Sequence, residues 1–512
     1  MLKVKITVIL VVLMITGSFA QTTTPTPQWR PAYHFSPPTN WTNDPNGLIF
    51  LNGEFQLYYQ HNPFENKWGH MSWGHATSKD LIHWHNLPLA IPEIVTKDTV
   101  ISIFSGCAVL DKNNSSGFGI NGKAPLVAIY TADMPGQHKE SQFIAYSNDG
   151  GLTFKQYAHN PVIDLNKSDF RDPNVFWYEP TKQWIMTVSM VNEHMVRIYG
   201  SKNLKKWTKL SDFGPAGFTQ NQWECPSMLP LVVDSDPAKI KWVLFVSAGG
   251  GHGPFIQYFV GDFDGTSFKN DNPDDKILTV DYGDAFYAAI AWRNAPGNRK
   301  IWLGWLQNGR PETFPWKGQM AIPRDLSFKT TPEGIRLLQP PSTIISNRLP
   351  EVADKRMLSE KDVNIDNSAI ALNKDGRFSS NSTWIDAEFK LNGAKNAGFY
   401  IVEKKDANGN VVKKVIVGYD TEKQELYIDC SGAEKENKPA DNLILSAPMK
   451  PVNGVVKIQV LLDRSSLEVI GNGGEKVIST MIYPDTDATG MSAFADGAAI
   501  LKSLKIWDMS KN

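Results

Sequence analysis

The chain has 512 residues, enough for more than one hydrophobic core. Hydrophobic residues make up 41% and charged residues 21%, which excludes a disordered or fibrous protein. With 52 Lys and Arg against 53 Asp and Glu, the net charge is −1, which argues against nucleic acid or an anionic lipid surface as the partner.

The first 20 residues have the pattern of a secretory signal peptide. Lysines precede an apolar run over residues 6–15, and the small residues Ser18 and Ala20 occupy the cleavage positions. An apolar run of about ten residues is too short to cross a bilayer, and no later run is longer, so we expect no membrane span. Residues 21–30 are rich in Thr and Pro and predict an extended leader. We therefore predict export, to the periplasm or to the cell exterior.

The three cysteines are too few for a disulfide framework. At most one bridge is possible, and we expect Cys107, Cys225 and Cys430 to be buried free thiols. The ten His residues show no metal-ligand grouping. We therefore expect neither a metal nor another cofactor.

From residue 31 the pattern is almost entirely β, with short alternating apolar runs separated by Asn-Gly and other turn signals. Residues 78–84 read Ser-Lys-Asp-Leu-Ile-His-Trp, and residues 201–207 read Ser-Lys-Asn-Leu-Lys-Lys-Trp. Looser copies begin at residues 147, 261 and 323. A spacing of about 60 residues suits one four-stranded blade. We predict an all-β fold, with a five-bladed β-propeller over residues 31–340.

A Gln-Pro-Pro-Ser break at residues 339–342 ends this pattern. The short strands and hairpins that follow predict a C-terminal β-sandwich over residues 350–512. This domain could bind a ligand at a distance, support the propeller or form a dimer contact. We favour support, because its aromatic residues mark no binding platform, and the sequence leaves the oligomeric state open.

Three carboxylates stand in motifs of their own. Asp44 lies in residues 41–47 (Trp-Thr-Asn-Asp-Pro-Asn-Gly), Asp172 in residues 170–173 (Phe-Arg-Asp-Pro), and Glu224 in residues 223–226 (Trp-Glu-Cys-Pro). Each acid has a Pro and an aromatic residue or Gly nearby, a composition typical of a rigid loop tip. Two acids facing one bond are the minimum equipment for cleaving a glycoside. Only a closed fold could bring these distant acids together.

These motifs resemble those of glycoside hydrolase family 32, the β-fructosidases that include invertases, inulinases and levanases. Residues 68–76 (Trp-Gly-His-Met-Ser-Trp-Gly-His-Ala) and residues 104–106 (Phe-Ser-Gly) resemble further blocks of that family. In the predicted sandwich, residues 463–475 resemble its C-terminal signature. The resemblance runs from near residue 30 to the C-terminus.

The resemblance implies a retaining reaction on a fructofuranosyl unit, with Asp44 as nucleophile, Glu224 as acid/base and Asp172 as transition-state stabiliser. By itself, Arg171-Asp172 would be interpreted as a structural ion pair in a turn. The resemblance also suggests substrate-binding candidates: Asn43, Gln60, Trp68, Phe104, Ser105, Arg171, Tyr287 and Trp305. For each aromatic candidate, core packing is an equal alternative.

We therefore expect an exported, exo-acting enzyme that releases fructose from levan or inulin and splits sucrose. An endo-acting levanase or inulinase would use the same acids. A catalytically inert propeller that only binds fructans would have no need of them. Transfer of fructose to a sugar instead of water is a further possibility that the sequence barely constrains.

Overall fold

The structure is a computed structural model that describes residues 27–249, 255–307, 313–353, 357–373, 381–436 and 438–510. The predicted signal peptide, residues 1–20, lies outside the described residues, and so does the first part of the predicted leader. No helix in the described ranges is both long and apolar enough to cross a membrane.

In the described residues, five sheets form the first part of the molecule; each is a blade built mainly from antiparallel strands. Blade 1 contains β1 (Asn40–Leu51), β2 (Glu54–Asn62), β3 (Ser72–Ser78) and β4 (Trp84–Ile91). Blade 2 contains β5 (Ile94–Val95), β6 (Val100–Leu110), β7 (Leu126–Met134), β8 (Lys139–Ser147), β9 (Lys155–Gln156) and β10 (Ile163–Lys167). Blade 3 contains β11 (Phe170–Tyr178), β12 (Gln183–Met190), β13 (Met195–Ser201) and β14 (Thr208–Phe213).

Blades 4 and 5 are formed by residues 224–338, and their strands are interleaved in sequence. Blade 4 contains β15 (Glu224–Val233), β16 (Asp236–Ser247), β17 (Ile256–Phe263) and β18 (Phe268–Asn270), and is extended by β24 (Ser327–Thr331) and β25 (Gly334–Leu338). Blade 5 contains β19 (Phe286–Ala291), β20 (Ile301–Leu306), β22 (Gln319–Met320) and β23 (Arg324–Asp325), while β21 (Trp316–Lys317) joins blade 1. Short 3-10 helices occur at Pro135–Gln137, Glu179–Thr181, Val191–Glu193, Pro296–Asn298 and Ala440–Asn442.

The five blades close into a ring. Their innermost strands, β1, β6, β11, β15 and β19, each contact the next, and β19 returns to β1. Parallel pairing of β21 with β1 reinforces the join, with Asn40 opposite Trp316 and Trp41 opposite Lys317. The predicted five-bladed propeller is therefore confirmed.

The sequence repeat marks one connection in four of the blades. The copies beginning at residues 78, 147, 201 and 261 start within the last residues of β3, β8, β13 and β17, one strand in each of blades 1 to 4. In each copy one side-chain oxygen accepts two successive backbone N–H groups and so fixes the turn. The four acceptors are Asp80, Asp149, Asn203 and Asp264. The suggested fifth copy at residue 323 is wrong, because its Asp325 bonds instead to Ser342 and Thr343.

Two short helices, α1 (Thr343–Ser346) and α2 (Leu349–Val352), lead to the C-terminal domain. Its ten strands form one continuous sheet: β26 (Met357–Ala371), β27 (Ser382–Leu391), β28 (Asn396–Lys405), β29 (Val411–Asp420), β30 (Glu425–Asp429), β31 (Ile444–Pro448), β32 (Val455–Asp463), β33 (Ser466–Gly471), β34 (Lys476–Met481) and β35 (Gly490–Asp508). The long β35 pairs first with β28 and then with β27, so it joins the two halves of the predicted sandwich around one apolar core.

The two domains meet at a buried group of charges. His34 lies between two acids of the sandwich, with its Nδ1 2.8 Å from Asp463 Oδ2 and its Nε2 2.9 Å from Glu468 Oε1. On the propeller side, Arg324 bonds to Glu468 and places its Nη1 3.1 Å from Asp281 Oδ2. We call these five residues the interface cluster. Two of its acids come from the stretch 463–475, so this signature joins the domains.

The end of the predicted leader belongs to the same interface. The Trp29 indole N–H donates to the carbonyl of Pro484 at 3.0 Å, and the guanidinium of Arg30 stacks over the Trp316 ring at 4.1 Å. Residues 27–30 are therefore packed between the domains, in contrast to the extended leader predicted from composition.

Candidate active site

Each innermost strand of the propeller is interrupted by an irregularity in its pairing. These irregularities fall between Thr42 and Pro45, Ile103 and Gly106, Arg171 and Asn174, Glu224 and Ser227, and Tyr287 and Ile290. A β-bulge of this kind bends the strand and redirects a side chain. Here the five bulges bring polar groups from all five blades to one place.

The acids therefore lie within strands, which corrects the prediction that they stand at loop tips. The backbone adopts left-handed conformations in three of the bulges, with φ 65° at Asp172, 48° at Cys225 and 53° at Ala288. The prolines that suggested loops are tolerated because they lie within or at the end of the bulges, which accommodate a missing N–H. Gly106 is required in blade 2, since a Cβ there would lie 2.1 Å from the Ile129 carbonyl oxygen.

Asp44 is held by two side-chain donors. The hydroxyl of Ser105 donates to its Oδ2 at 2.6 Å, and the amide of Asn43 donates to its Oδ1 at 3.1 Å. Asn43 is in turn oriented by the Trp41 indole N–H at 2.9 Å. Asn43 and Ser105, which the sequence suggested as substrate-binding residues, therefore both contact this carboxylate.

Glu224 is held by a separate set of donors. Arg171 donates from Nε and Nη2 to Oε1 at 3.1 and 2.8 Å, and the Tyr287 hydroxyl donates to Oε2 at 2.6 Å. Tyr287, one of the substrate-binding candidates, thus contacts a carboxylate directly. Arg171 contacts Glu224 as well as being the chain neighbour of Asp172, so it is more than the local ion pair of a turn.

Cys225 connects the three acids. Its backbone N–H donates to Asp172 Oδ2 at 2.9 Å, and its sulfur lies 3.5 Å from that oxygen and 3.6 Å from Asp44 Oδ2. The following residue of the Glu-Cys-Pro motif thus orients Asp172, while Glu224 itself turns toward Arg171 and Tyr287. Asp44 and Asp172 therefore both contact Cys225, the chain neighbour of Glu224.

Two of the acids, Asp44 and Asp172, have pKa values above those of an ordinary Asp. Burial, and then the charges of Glu224 and Asp44, raise the pKa of Asp172 to about 7 in spite of the nearby Arg171. Burial and the charge of Glu224 also raise the pKa of Asp44, whereas the bonds from Ser105 and Asn43 lower it. These shifts come from like charges held together away from water, the arrangement that active sites use to tune carboxyl groups.

Arg171 has two further acidic partners that the sequence did not reveal. Its Nη1 lies 3.1 Å from Glu140 Oε1 and 3.0 Å from Asp169 Oδ1. The buried Glu140 also accepts the backbone N–H of Phe170 at 2.7 Å, and so fixes the start of β11. The sequence around Glu140 contains no motif that predicts this contact. Glu140 and Arg171 lie in neighbouring blades, so the contact forms only when the two blades pack together.

The aromatic candidates Trp68, Phe104 and Trp305 make edge-on ring contacts. Trp68 is 59% exposed and packs edge-on against Phe104, with ring centroids 5.9 Å apart. Trp305 packs edge-on against Trp41 at 6.0 Å. Neither pair is simple core filling, because Trp68 is exposed and Trp41 bonds to Asn43. Gln60 is different: it is buried, and its amide nitrogen donates to the Ile103 carbonyl at 2.9 Å.

All three cysteines are buried free thiols, as predicted. Cys107 packs between blades 2 and 3, where its sulfur accepts the Val175 N–H at 3.1 Å. Cys430 lies in the sandwich core. Only Cys225, among the three, belongs to the candidate site.

Comparison with known proteins extends this picture over nearly the whole chain. The model of the glycosyl hydrolases family 32 N-terminal domain matches residues 34–341, and that of the family 32 C-terminal domain matches residues 351–508. The chain is 44% identical over 497 residues to a levanase of Bacillus subtilis (strain 168), covering 94% of this chain and 71% of the relative.

Two fungal relatives cover most of both chains. An extracellular exo-inulinase of Aspergillus awamori is 37% identical over 500 residues, which is 90% of each chain, and invertase 2 of Saccharomyces cerevisiae is 34% identical over 495 residues, which is 89% of each. A crystal structure of exo-inulinase from Aspergillus awamori matches with a TM-score of 0.86 at 34% identity, covering 94% of this chain and 98% of that chain. With its five bulged inner strands, its gathered acids and this similarity over both domains, the chain belongs to glycosyl hydrolase family 32.

Proposed function

We propose that the protein is a retaining β-fructosidase that hydrolyses terminal β-D-fructofuranosyl residues of levan and inulin, and also splits sucrose. Its relatives are a levanase, an exo-inulinase and an invertase, which act on these three kinds of substrate. The observation that carries the proposal is the separate anchoring of Asp44 and Glu224. Two independently oriented carboxyl groups at one site are what double displacement requires.

Asp44 is the nucleophile. Its Oδ1 and Oδ2 are fixed by Asn43 and Ser105, so the carboxylate loses little freedom when it attacks the anomeric carbon. In the first step the bond from Asp44 to that carbon forms, the glycosidic C–O bond breaks, and Glu224 gives its proton to the leaving oxygen.

Glu224 then acts as a base. It takes a proton from water, the water oxygen bonds to the anomeric carbon, and the ester bond to Asp44 breaks, which frees fructose and restores Glu224 in its protonated form. The Tyr287 hydroxyl and the Arg171 guanidinium hold the carboxyl group in place for both steps.

Asp172 stabilises the transition state. Its carboxylate lies beside the same sulfur as Asp44, where it can accept hydrogen bonds from sugar hydroxyls while positive charge builds on the ring. Phe104, Trp68 and Trp305 supply apolar faces for the sugar C–H groups, and the side-chain oxygen of Gln60 is a candidate acceptor.

A matched pair of variants tests the proposal. Asp44→Asn should lower the rate of fructose release from levan, inulin and sucrose by about 10⁴-fold or more, since the covalent step loses its nucleophile. Asp262→Asn, an exposed Asp of blade 4, is the control and should keep full activity. Substantial activity of folded Asp44→Asn, judged by near-ultraviolet circular dichroism, would refute the assignment.

The mode of attack is tested by the products. An exo-acting enzyme releases fructose alone from the first minutes of levan or inulin digestion. Early mixtures of oligosaccharides would instead support the endo-acting alternative, and fructose-containing products longer than the substrate would show transfer to sugars.

We also propose that the protein is secreted through the signal peptide at residues 1–20. The apolar run and small residues at the cleavage positions support this, and one relative is named as extracellular. N-terminal sequencing of the mature protein, expected to begin near residue 21, tests it.

A further inference from the structure

The sandwich has an open groove on the face that points away from its core. The groove has a volume of about 420 Å³, and all its lining residues belong to the sandwich. Along β28, β29 and β30, its side chains Tyr400, Ile416 and Tyr427 alternate with fully buried core residues. Because successive side chains of a strand point to opposite faces, this groove faces solvent.

The pairing of the strands explains why a groove forms there. One row of directly paired residues crosses four strands, from Phe494 through Gly398 and Gly418 to Tyr427. Two adjacent glycines leave the middle of this row without side chains. The Tyr427 ring reaches across Gly418, where a Cβ would lie 2.6 Å from the ring.

The aromatic wall of the groove is held rigidly. Tyr400 and Phe494 stack with ring centroids 4.3 Å apart and planes at 3°. The ammonium group of Lys414 lies 3.4 Å from the centre of the Tyr400 ring. A preformed wall of this kind loses little conformational entropy when a ligand binds.

The polar lining indicates what kind of ligand would fit. Asn396 and the exposed carboxylate of Asp496 stand beside the aromatic rings, and both tyrosines are only partly buried. A sugar chain presents apolar C–H faces together with neutral hydroxyl groups, which suits rings flanked by amide, hydroxyl and carboxylate groups. An anionic ligand would be repelled by Asp496, and a purely apolar one would leave these polar groups unpaired.

We propose that this groove is a second fructan-binding site, which holds a distant part of a polymer whose end is cut in the propeller. The proposal rests on the function proposed above, because it takes the polymer to be levan or inulin. Binding at two places on one chain raises the effective concentration of ends at the active site. Sucrose is too short to reach both sites and gains nothing.

Kinetics on long and short substrates test this directly. Tyr427→Ala and Asp496→Lys should each raise KM for levan or inulin about fivefold, with kcat unchanged and with kcat/KM for sucrose unchanged. Val412→Ala, an exposed residue of the same sheet that does not line the groove, is the matched control. Unchanged sucrose hydrolysis shows that each variant is folded.

A binding measurement separates this proposal from the proposed function. In the Glu224→Gln background, migration through native gels that contain levan or inulin should be retarded, and Tyr427→Ala or Asp496→Lys should reduce the retardation. If Tyr427→Ala and Asp496→Lys both show the same retardation and the same KM for levan or inulin as their parent proteins, the proposal of a second site is wrong. Absence of fructose release by the unmodified protein would overturn the proposed function instead, while the gels would still report on the groove.

Discussion

The active site and the interface cluster are both buried groups of charged side chains, but they are balanced in opposite ways. The interface cluster sets His34 and Arg324 against Asp281, Asp463 and Glu468, so positive and negative groups alternate. At the active site, Asp44, Asp172 and Glu224 meet around one sulfur atom and one guanidinium. The same residue types therefore serve two purposes.

The carboxylate oxygens of the interface cluster accept hydrogen bonds from several donors. Asp463 accepts backbone N–H groups from Ala32, Tyr33 and His34 in addition to the imidazole. Although burial opposes ionisation, Arg324 and His34 hold the pKa of Glu468 at about 2. Burial alone would lower the pKa of His34, but its bonds to Asp463 and Glu468 raise it to about 9. Ionisation here favours the folded protein.

The active-site acids show the reverse behaviour. Burial and like charges raise the pKa of both Asp44 and Asp172, so ionising them costs folding free energy. This loss of folding free energy arises because the site leaves room for a sugar, and so the acids have fewer hydrogen-bond donors than those of the interface cluster. The comparison shows where this protein exchanges stability for reactivity.

Among the variants that compare the two clusters, Glu224→Gln has the largest expected effect. The substitution keeps the shape and the acceptor for Tyr287 but removes the proton donor and base, so kcat on levan should fall by about 10³-fold to 10⁴-fold. The thermal unfolding midpoint should stay near that of the parent protein. A large loss of stability with little loss of kcat would reverse the roles assigned to the two clusters.

The same Glu→Gln change at Glu468 should have the opposite outcome. Removing this buried charge leaves Arg324 and His34 short of a partner, and should lower the free energy of unfolding by about 3–5 kcal/mol. Urea unfolding measures this loss, and sucrose assays below the unfolding temperature should give the parental kcat. A stable variant with reduced kcat would contradict the structural role of the cluster.

The propeller could be predicted from sequence because its signals are local. An Asp or Asn that accepts two backbone N–H groups fixes each repeated turn within a few residues, as at Asp80 and Asn203. The copy proposed at residue 323 was wrong because the pattern is so short. A few polar residues before an aromatic residue can also occur where no such turn forms. Asp325 in that copy anchors the start of α1.

The electrostatic organisation could not be predicted, because it depends on partners that are distant in sequence. Glu140 meets Arg171 across two blades, and His34 meets Glu468 across two domains. The motif acids were recognised by resemblance, but their prolines suggested loops, whereas closure of the ring places them at strand bulges. The stretch 463–475 was likewise recognised without its role in joining the domains.

A smaller effect is expected from pH acting on the interface cluster. The pKa of His34 is about 9 in the folded protein against 6.5 for an ordinary His, so its contribution is complete below about pH 6.5 and is lost as the pH rises through 9. The free energy of unfolding should fall by about 3 kcal/mol over this range. In His34→Asn the free energy of unfolding should be lower at pH 6.5, but it should decrease much less as the pH rises to 9. Parallel curves for the two proteins would show that another group titrates.

The smallest effect is a gain of stability at the active site. In the folded protein the pKa of Asp172 is raised to about 7 from an ordinary 3.8, so its ionisation costs stability increasingly as the pH rises from 3.8 through 7. Asp172→Asn removes that cost while keeping an oxygen for the Cys225 N–H, and should raise the unfolding midpoint at pH 8 by about 2 °C. The gain should shrink toward pH 4, where the carboxyl is neutral when folded. Asp281→Asn, the same change in the interface cluster, should lower the midpoint at both pH values, and a gain there as well would remove the distinction between the two clusters.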